Sequence, residues 1–280
     1  MKSALIIINS YKKECLNFAN TILEYLEKKG ITTNFFLFFD GNSTCDFSEC
    51  DFVITLGGDG TVLFAARGCA SRGIPIFPIN FGYFGFIASI EKENWEEKLE
   101  KFLEKKLPII PRSLVKASVY RKSVNVFTIE ALNDVVISAK QSAHVVVLDL
   151  KFCGHPFGNF KADGIIVATA TGSTAYSAAA GGPIIDPALD ALLLSPISPF
   201  SLSNRPLVLP SEGDLEVEIL PFRTEGAVLT VDGQITYNLE AGDVIKYSLG
   251  KNKAYLADCN SERFYKALRS KLHWSGGPYA

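Results

Sequence analysis

Three glycines and one aspartate form the first segment whose residue types suggest chemistry, Gly57-Gly58-Asp59-Gly60-Thr61. Glycines lack Cβ atoms, so a phosphate can approach the backbone, and amide groups at the start of a following helix can receive its charge. A carboxylate in such a loop repels phosphate, which indicates another duty for Asp59, as general base for a hydroxyl or as magnesium ligand. A tight turn in which Asp59 only caps the helix is the alternative interpretation.

This loop differs from the best-known phosphate and nucleophile motifs. The sequence contains no G-x-x-x-x-G-K-[ST] pattern, and its glycines do not have the G-x-G-x-x-G spacing. It contains no G-x-S-x-G elbow either. The sequence therefore does not predict a P-loop, a dinucleotide fingerprint or a serine hydrolase.

A second glycine cluster follows the next predicted strand, Asn80-Phe81-Gly82-Tyr83-Phe84-Gly85-Phe86. In a parallel sheet the loops that follow the strands meet at the carboxyl edge, where ligands bind. We therefore expect this cluster to lie beside the Asp59 loop. A glycine-bent connection whose aromatic side chains supply core is the other interpretation.

The longest candidate segment begins at Asp163-Gly164 and reaches Thr169-Ala170-Thr171-Gly172-Ser173-Thr174-Ala175-Tyr176, with Gly181-Gly182-Pro183 further on. Hydroxyl groups amid apolar residues are costly to bury unless something bonds them. A nucleotide would supply such bonds, and Tyr176 could stack on its base. A turn satisfied by its own backbone is the alternative. Asn133-Asp134 adds an amide and a carboxylate suited to ribose hydroxyls.

Strands and helices must position these segments, and the first hundred residues alternate the two. Hydrophobic periodicity predicts strands at 4–9, 32–39, 52–56 and 74–79 and helices at 15–26 and 62–71. A further helix is predicted after Asn94, which has the spacing of a capping box with Glu97. This alternation is typical of a doubly wound parallel sheet.

The pattern changes near Pro108. From 112 to about 256 the chain shows short β-rich runs separated by turn residues, with one short helix at 174–180, and 262–272 is helical again. We therefore predict an α/β plus all-β protein. An N-terminal Rossmann-like α/β domain occupies 1–108, a C-terminal β-sandwich-like domain occupies 109–256, and a helical tail at 257–280 returns to the first domain.

Charge and composition exclude several classes of function. Lys and Arg total 28 against 30 Asp and Glu, which argues against a protein that covers nucleic acid or an anionic membrane. No stretch has the pattern of a signal peptide or an insertable membrane span. None of the six cysteines forms a C-x-x-C pair, and the three histidines lack metal spacing. Reduced thiols in a cytoplasmic protein are expected.

The segments together resemble the NAD kinase family. The resemblance covers about 52–210, the motif Val231-Asp232-Gly233-Gln234 and the tail Leu268-Arg269-Ser270-Lys271-Leu272-His273-Trp274. GGDGT alone is shared with diacylglycerol and sphingosine kinases, and phosphofructokinases carry a close relative of it. The order NFGYFGF, NDVVIS, TATGSTAY and AGGP makes the match specific.

The resemblance implies transfer of the γ-phosphoryl group of ATP to the adenosine 2′-hydroxyl of NAD, giving NADP, with Mg²⁺ carried by ATP and no metal ligand assigned in the chain. Asp59 is then similar to the proton acceptor of the family. The resemblance assigns the remaining candidates to substrate binding: Gly57, Gly58 and Gly60 around the phosphates; Asn133, Asp134 and Gln234 for NAD; Lys161 and Asp163 near the nicotinamide; Thr174, Ala175 and Tyr176 for adenosine; and also Asn80, His144, Thr171 and Ser198. By residue type and spacing alone, His144 suggests a surface or packing role.

Four positions depart from the usual family pattern. Asp134 stands where Glu is commoner, and Phe64 where a basic residue is frequent. Ala170 replaces a frequent proline, and Ala179 a frequent serine. We expect these departures to affect affinity rather than the class of reaction.

Two other functions are compatible with parts of the pattern. One is a different GGDG kinase that acts on a diacylglycerol or sphingoid lipid, and the other is a non-catalytic sensor of NADP. Polyphosphate as donor, NADH as acceptor, and NADP or NADPH as feedback ligand stay open. A homodimer or homotetramer is implied by the resemblance alone.

Overall fold

The computed structural model describes residues 1–41, 43–82, 85–141, 144–201, 203–221 and 226–272. Tyr83 and Phe84 of the second glycine cluster and the predicted tail beyond Leu272 lie outside these ranges. The chain forms two compact units, one built from Met1–Arg112 with the chain from Asn252 onward, the other from Ser113–Lys251.

Helices and strands alternate in the first part of the chain, and the later part consists mainly of strands, as the hydrophobic periodicity predicts. The strands are β1 Ser3–Asn9, β2 Thr32–Phe38, β3 Phe52–Gly57, β4 Pro75–Asn80, β5 Ile90–Glu91, β6 Ile109–Arg121, β7 Val124–Ala131, β8 Asp134–Ala139, β9 Val146–Phe152, β10 His155–Ala162, β11 Gly164–Thr169, β12 Ala191–Ile197, β13 Leu207–Pro210, β14 Leu215–Ile219, β15 Ala227–Val231, β16 Ile235–Leu239 and β17 Val244–Ala257. The α-helices are α1 Lys13–Lys28, α2 Asp59–Cys69, α3 Trp95–Leu103, α4 Tyr176–Ala179 and α5 Ser261–Leu272.

The first unit contains a parallel sheet in the order β17, β4, β3, β1, β2, with β5 beside β4. Its central strands are apolar on both faces, which is expected when helices cover both sides. α1 and α3 pack on the face that carries Ile6, Ile54 and Phe77. α2 packs on β1, β3 and β4. The predicted parallel α/β sheet is confirmed.

The predicted capping box at the start of α3 is wrong. Asn94 occupies the N-cap position, but its side chain makes no capping hydrogen bond. Asn94 ends a 3-10 turn, Lys92–Asn94, with φ −123° and ψ 14° rather than the extended conformation of a capping residue.

The second unit is made of antiparallel strands in two layers. One layer has the order β13, β12, β11, β8, β15, β16, and the other contains β10, β9, β14 and the first part of β17, together with β6 and β7. Alternate side chains from both layers, such as Ile137, Val167 and Leu229 from one and Leu148 and Val217 from the other, share one apolar core. The predicted β-sandwich-like architecture is confirmed.

The C-terminal helix α5 belongs to the first unit, as predicted. Its buried residues are Phe264 and Leu268, and the Phe264 ring lies 6.2 Å from the ring of Phe86. Among the helices of the described ranges, none has both the length and the apolar character needed to cross a membrane.

Candidate functional site

The Asp59 loop joins the end of β3 to the start of α2. Gly57 is tightly packed, because an added Cβ would lie 2.2 Å from Oγ1 of Thr61. Gly58 is the opposite, since an added Cβ would meet nothing within 4 Å and the backbone is open to an approaching group. Gly60 is exposed in the first turn of α2. The predicted strand, glycine loop and helix are confirmed here.

The Asp59 carboxylate receives three consecutive backbone N–H groups. Oδ2 accepts the N–H of Phe86 at 2.7 Å, and Oδ1 accepts those of Ile87 at 3.3 Å and Ala88 at 2.9 Å. Gly85 lies so close that a Cβ there would be 2.5 Å from Oδ1. Burial is the largest influence on Asp59 and raises its pKa above the ordinary value, although the three N–H groups and the charge of Lys271 act in the opposite direction. Asp59 thus anchors the segment after the second glycine cluster.

Lys271 of α5 is a functional candidate that the sequence did not single out. Its ammonium donates a hydrogen bond to the carbonyl of Gly85 and lies 5.9 Å from the centre of the Phe86 ring. Burial lowers the pKa of Lys271, and the carboxylates of Asp59 and Glu91 raise it. The only sequence signal was its place in the tail motif, which carried no assigned role.

The two glycine loops of the first unit are neighbours, as expected. The N–H of Phe81 donates to the carbonyl of Gly57 at 2.7 Å, and Asn80 pairs with Gly57 in the sheet. Asn80 accepts the N–H of Gly82 at 2.7 Å and lines two clefts. One encloses about 140 Å³ beside Lys271, and the other about 460 Å³ beside Lys12.

In the second unit, Asn133 and Asp134 lie in a closely packed turn. The carbonyl of Asn133 accepts the N–H of Thr169 at 2.9 Å. An added Cβ at Gly172 would lie 2.0 Å from that carbonyl oxygen, so only glycine allows this approach. The Oδ1 of Asn133 is buried and has no hydrogen-bond partner among the described residues.

Asp134 has a carboxylate as its charged neighbour. Burial, and secondly the charge of Asp232, raise the pKa of Asp134 to about 7. Asp232 was part of a motif in the sequence but was not predicted as a site residue. In the sequence, only the position of Asp232 beside Gly233 and Gln234 marked it as a candidate. The residues that it contacts lie about a hundred positions earlier, so no local pattern reveals the contact.

Several hydroxyl groups of the hydroxyl-rich segment form hydrogen bonds within the protein itself. Ser173 Oγ donates to the carbonyl of Ala170 at 2.7 Å and accepts the N–H of Ile185 at 2.9 Å. Thr174 Oγ1 donates to the carbonyl of Thr171 at 3.3 Å. Ser177 and Ser195 share a buried hydrogen bond of 2.8 Å. These hydroxyls therefore do not need a nucleotide to bond them.

Several predicted residues nevertheless surround one cleft of about 360 Å³. Its lining is Asn133, Asp134, Val136, Ser138, Ala175, Tyr176, Thr230, Asp232 and Gly233. The Tyr176 side chain is 47% exposed, so its ring is available for stacking. Gln234 follows Gly233 directly, and its N–H donates to the carbonyl of Val231 at 2.9 Å.

The structure does not bring Lys161, Asp163 and Ser198 to that cleft. Asp134 pairs with Ala168 near the end of β11, whereas Asp163 precedes the start of that strand. At about 3.3 Å per residue the two ends of β11 are roughly 20 Å apart. Ser198 follows Ile197, the partner of Gly164, and the Lys161 ammonium lies 5.0 Å from the ring of Phe200. His144 is half-buried just before β9.

The departures from the family pattern have local explanations in part. Phe64 is buried and packs in an aromatic cluster with Phe36, Phe38 and Phe47. A basic side chain would be costly to bury there. Ala170 is buried and accepts the Ser173 hydroxyl, whereas Ala179 is exposed, and nothing in the structure explains its identity.

Neither metal ligation nor disulfide chemistry is indicated. Within the described parts of the chain, no group of three or more His, Cys, Asp or Glu side chains has the arrangement of a metal site. All six cysteines are free thiols. The groups described above are two carboxylates, a lysine, the unpartnered Oδ1 of Asn133 and the open backbone at Gly58.

Comparisons with known proteins agree with this geometry. Residues 39–107 match the ATP-NAD kinase N-terminal domain, and residues 132–259 match the ATP-NAD kinase C-terminal domain. An NAD kinase of Treponema denticola is 49% identical over 278 residues, which cover 99% of this chain and 98% of the relative. An NAD kinase of Treponema pallidum is 41% identical, with 99% and 91% covered.

Solved structures show the same architecture. Yeast NADH kinase complexed with NADH superposes with a TM-score of 0.88 at 21% identity, covering 99% of this chain and 89% of that one, which shows a shared fold. An NAD kinase from Archaeoglobus fulgidus in complex with ATP gives a TM-score of 0.79 at 27% identity, covering 95% and 98%. Both domains of the family are matched and near relatives align over almost the whole length, so this chain belongs to the NAD kinase family.

Proposed function

We propose that this NAD kinase uses Asp59 as proton acceptor and holds NAD in the cleft beside Asn133 and Asp134. The observation that carries the proposal is the buried Oδ1 of Asn133, which has no partner among the described residues and belongs to a residue that lines the cleft. A buried acceptor left unpaired costs about 1–3 kcal/mol. A donor on the adenosine half of NAD would offset that cost.

The reaction transfers the γ-phosphoryl group of ATP to the 2′-hydroxyl of the adenosine ribose of NAD. The hydroxyl oxygen forms the new bond to phosphorus, the bond between the γ-phosphorus and the bridging oxygen of ADP breaks, and the hydroxyl proton passes to Asp59. Three backbone N–H groups and Lys271 favour the ionised form of Asp59 that this step requires. Base catalysis of this kind contributes about 10²–10⁴-fold, and alignment contributes much of the rest.

The other candidates divide between phosphate and nucleoside. The open backbone at Gly58 suits a phosphate that approaches the start of α2, with Gly57, Gly60 and Asn80 beside it. Thr171, Thr174 and Ala175 form the turn that presents Tyr176 to the adenine, with Gln234 as a further contact. Lys161 and Asp163 stay candidates for the nicotinamide half, and His144 and Ser198 stay candidates for substrate binding without an assigned half.

Mg²⁺ enters the proposal as part of the substrate MgATP. Asp59 is the carboxylate nearest the phosphate loop, and its oxygens already accept three N–H groups, so a resident metal there fits poorly. The ion supplies charge neutralisation of the triphosphate.

The finer properties of the enzyme are proposed from the resemblance. The Archaeoglobus relative was crystallised with ATP, which supports ATP over polyphosphate as donor. NADH as a second acceptor, NADP or NADPH as feedback ligand, and a homodimer or homotetramer belong to the same proposal. Six free thiols support a cytoplasmic location. Family membership decides against a lipid kinase and against a non-catalytic sensor.

A coupled assay tests the proposal. The protein is incubated with NAD, ATP and Mg²⁺, and NADP is detected with an NADP-specific dehydrogenase. We expect product only when all three are present, and none from an NAD analogue that lacks the adenosine 2′-hydroxyl but competes with NAD. Product formed from that analogue would overturn the assigned acceptor atom. A wild-type protein without any activity would overturn the function as a whole.

A further inference from the structure

The carboxylate of Asp232 accepts hydrogen bonds from the backbone of the Asn133–Asp134 turn. Its Oδ1 accepts the N–H groups of Asn133 at 2.8 Å and Asp134 at 3.2 Å, and its Oδ2 accepts that of Leu132 at 3.2 Å. In return, the N–H of Asp232 donates to the carbonyl of Asp134 at 2.9 Å. Three consecutive amides and one carbonyl are thus tied to a single residue a hundred positions later.

The conformation of Asp232 is itself unusual for a residue with a side chain. Its φ is +49°, in the left-handed region that Gly, Asn and Asp tolerate best. Asp232 is 7% exposed and lines the same cleft as Asn133 and Asp134. Backbone strain of this kind persists where the surrounding structure fixes it, and it is frequent at functional sites.

The opposite side of the turn is fixed by the hydroxyl-rich segment. Thr169 Oγ1 donates to the carbonyl of Leu132 at 2.6 Å and accepts the N–H of Gly172 at 3.1 Å. Gly172 in turn lies against the carbonyl of Asn133. The backbone of the turn is therefore held on one side by Asp232 and on the other by Thr169 and Gly172.

We propose that Asp232 is a positioning residue for NAD, which fixes the Leu132–Asp134 backbone and places a second carboxylate near Asp134 before the ligand binds. The proposal rests on the assignment of Asn133 and Asp134 to the NAD site made above. Asp232 does not need to touch NAD, because it acts through the two residues that do.

A consequence distinguishes this role from a purely structural one. Within the described residues, Asp232 is the charged group that faces Asp134, from the turn after β15. Burial and this neighbour raise the pKa of Asp134 to about 7. Ribose hydroxyls donate hydrogen bonds to a carboxylate, so NAD favours the ionised form of Asp134. Binding of NAD near neutral pH is therefore expected to release a proton from Asp134.

Isothermal titration calorimetry of the full-length protein with NAD tests this inference, in two buffers of different ionisation enthalpy at pH 6.5. A group with a pKa near 7 is roughly three-quarters protonated at that pH, so the wild type should release a large fraction of one proton. Asp232→Asn keeps a residue that tolerates positive φ but removes the charge. In this variant, proton release should fall, because the pKa of Asp134 loses the contribution of the Asp232 charge and only burial still raises it.

Asp232→Gly separates the anchor from the backbone conformation. Glycine adopts the left-handed φ freely but leaves three amides without their acceptor. We expect its Kd for NAD to rise about tenfold, equivalent to about 1.4 kcal/mol, with kcat at saturating NAD changed much less than KM. An equal loss in kcat with an unchanged KM would contradict a positioning role.

Asp243→Asn is the matched control in the same unit. Asp243 is also a buried turn carboxylate, which accepts the N–H of Glu240 at 2.9 Å and pairs with Arg121 at 2.8 Å. Its replacement should lower the Tm without changing proton release or the Kd for NAD.

The outcomes separate the inference from the function it rests on. Unchanged proton release in Asp232→Asn overturns the inference, and so does a wild type that binds NAD without releasing a proton, even if every variant fails to fold. A wild type that does not bind NAD at all would instead remove the proposed NAD site.

Discussion

Two aspartates, a half-buried one in the first unit and a buried one in the second, have opposite surroundings. Asp59 faces three backbone N–H groups and the ammonium of Lys271. Asp134 faces the carboxylate of Asp232, and none of the described residues donates a hydrogen bond to it. Burial raises the pKa of both, but the neighbours lower it at Asp59 and raise it further at Asp134.

The difference fits the different duties proposed above for two identical side chains. A group that accepts a proton during catalysis must be ionised beforehand, and the N–H groups around Asp59 favour that state. A group that binds a hydroxyl can keep its proton until the ligand arrives, which describes Asp134. Environment rather than residue type decides which carboxylate is the base.

Asp59→Asn should have the largest effect. The amide cannot accept the 2′-hydroxyl proton, so we expect kcat to fall by about 10²–10⁴-fold, measured as NADP formed at saturating NAD and ATP. The KM for NAD should change little, because Asn133 and Asp134 lie in the other unit. The amide also replaces the acceptor of the Phe86 N–H, so thermal unfolding must show a folded variant. A folded Asp59→Asn protein with wild-type kcat would contradict the role of Asp59 as proton acceptor.

Asp134→Asn tests the other side, with two effects of opposite direction. Folding raises the pKa of the Asp134 carboxyl from 3.8 to about 7. The protonated carboxyl therefore makes its full contribution to stability at a pH below the pKa of the unfolded chain. This contribution is lost as the pH rises through the pKa of the folded protein. The variant should therefore match the wild-type Tm near pH 4 and exceed it at pH 8.

The same substitution should raise the KM for NAD about tenfold, because the amide offers one acceptor where the carboxylate offers two. Thermal unfolding at both pH values and initial rates at pH 8 measure the two effects. A variant less stable than the wild type at pH 8 would show that Asp134 does not carry the burial cost assigned to it.

Gly172→Ala asks whether the site in the second unit depends on close packing. The added Cβ would meet the carbonyl oxygen of Asn133 at 2.0 Å, so Asn133 must move. Overpacking costs about 1–3 kcal/mol, and we expect a lower Tm together with a KM for NAD raised several-fold. Gly182→Ala is the control, because its Cβ would meet Ser177 Oγ at 2.3 Å, away from Asn133. Equal changes in KM for both variants would contradict the role of Gly172.

The sequence predicted the positions of the catalytic segments better than their contacts. Strand ends are readable from apolar runs, so the loop at Asp59 and the turn at Asn133 were placed correctly on the elements observed. The contacts of Asp232 with Leu132, Asn133 and Asp134 join residues about a hundred positions apart. No local pattern encodes such a contact, because it arises when β8 and β15 pair.

The hydroxyl-rich segment shows the converse. Its composition indicated a ligand, yet Ser173 and Thr174 bond to backbone groups within a few residues or across a short loop. Composition cannot distinguish a hydroxyl that awaits a ligand from one that closes a turn, since both need a partner. The unpartnered amide of Asn133 is the clearer sign of a ligand, and only the folded structure reveals it.

Lys271→Met should have the smallest effect on activity, and it tests how far the ammonium of Lys271 influences the pKa of Asp59. The groups that face Asp59 include the ammonium of Lys271 from α5 and the nearby thiol of Cys259. Removal of the ammonium takes away a charge that lowers the pKa of Asp59, so that pKa should rise. The acid limb of the pH profile of kcat/KM should then move to higher pH, with little change on the alkaline plateau.

Lys266→Met removes an exposed charge from the same helix, 4.0 Å from Glu91, and should leave the profile in place. An acid limb that stays fixed, or moves to lower pH, in Lys271→Met would mean that the three backbone N–H groups alone keep Asp59 ionised.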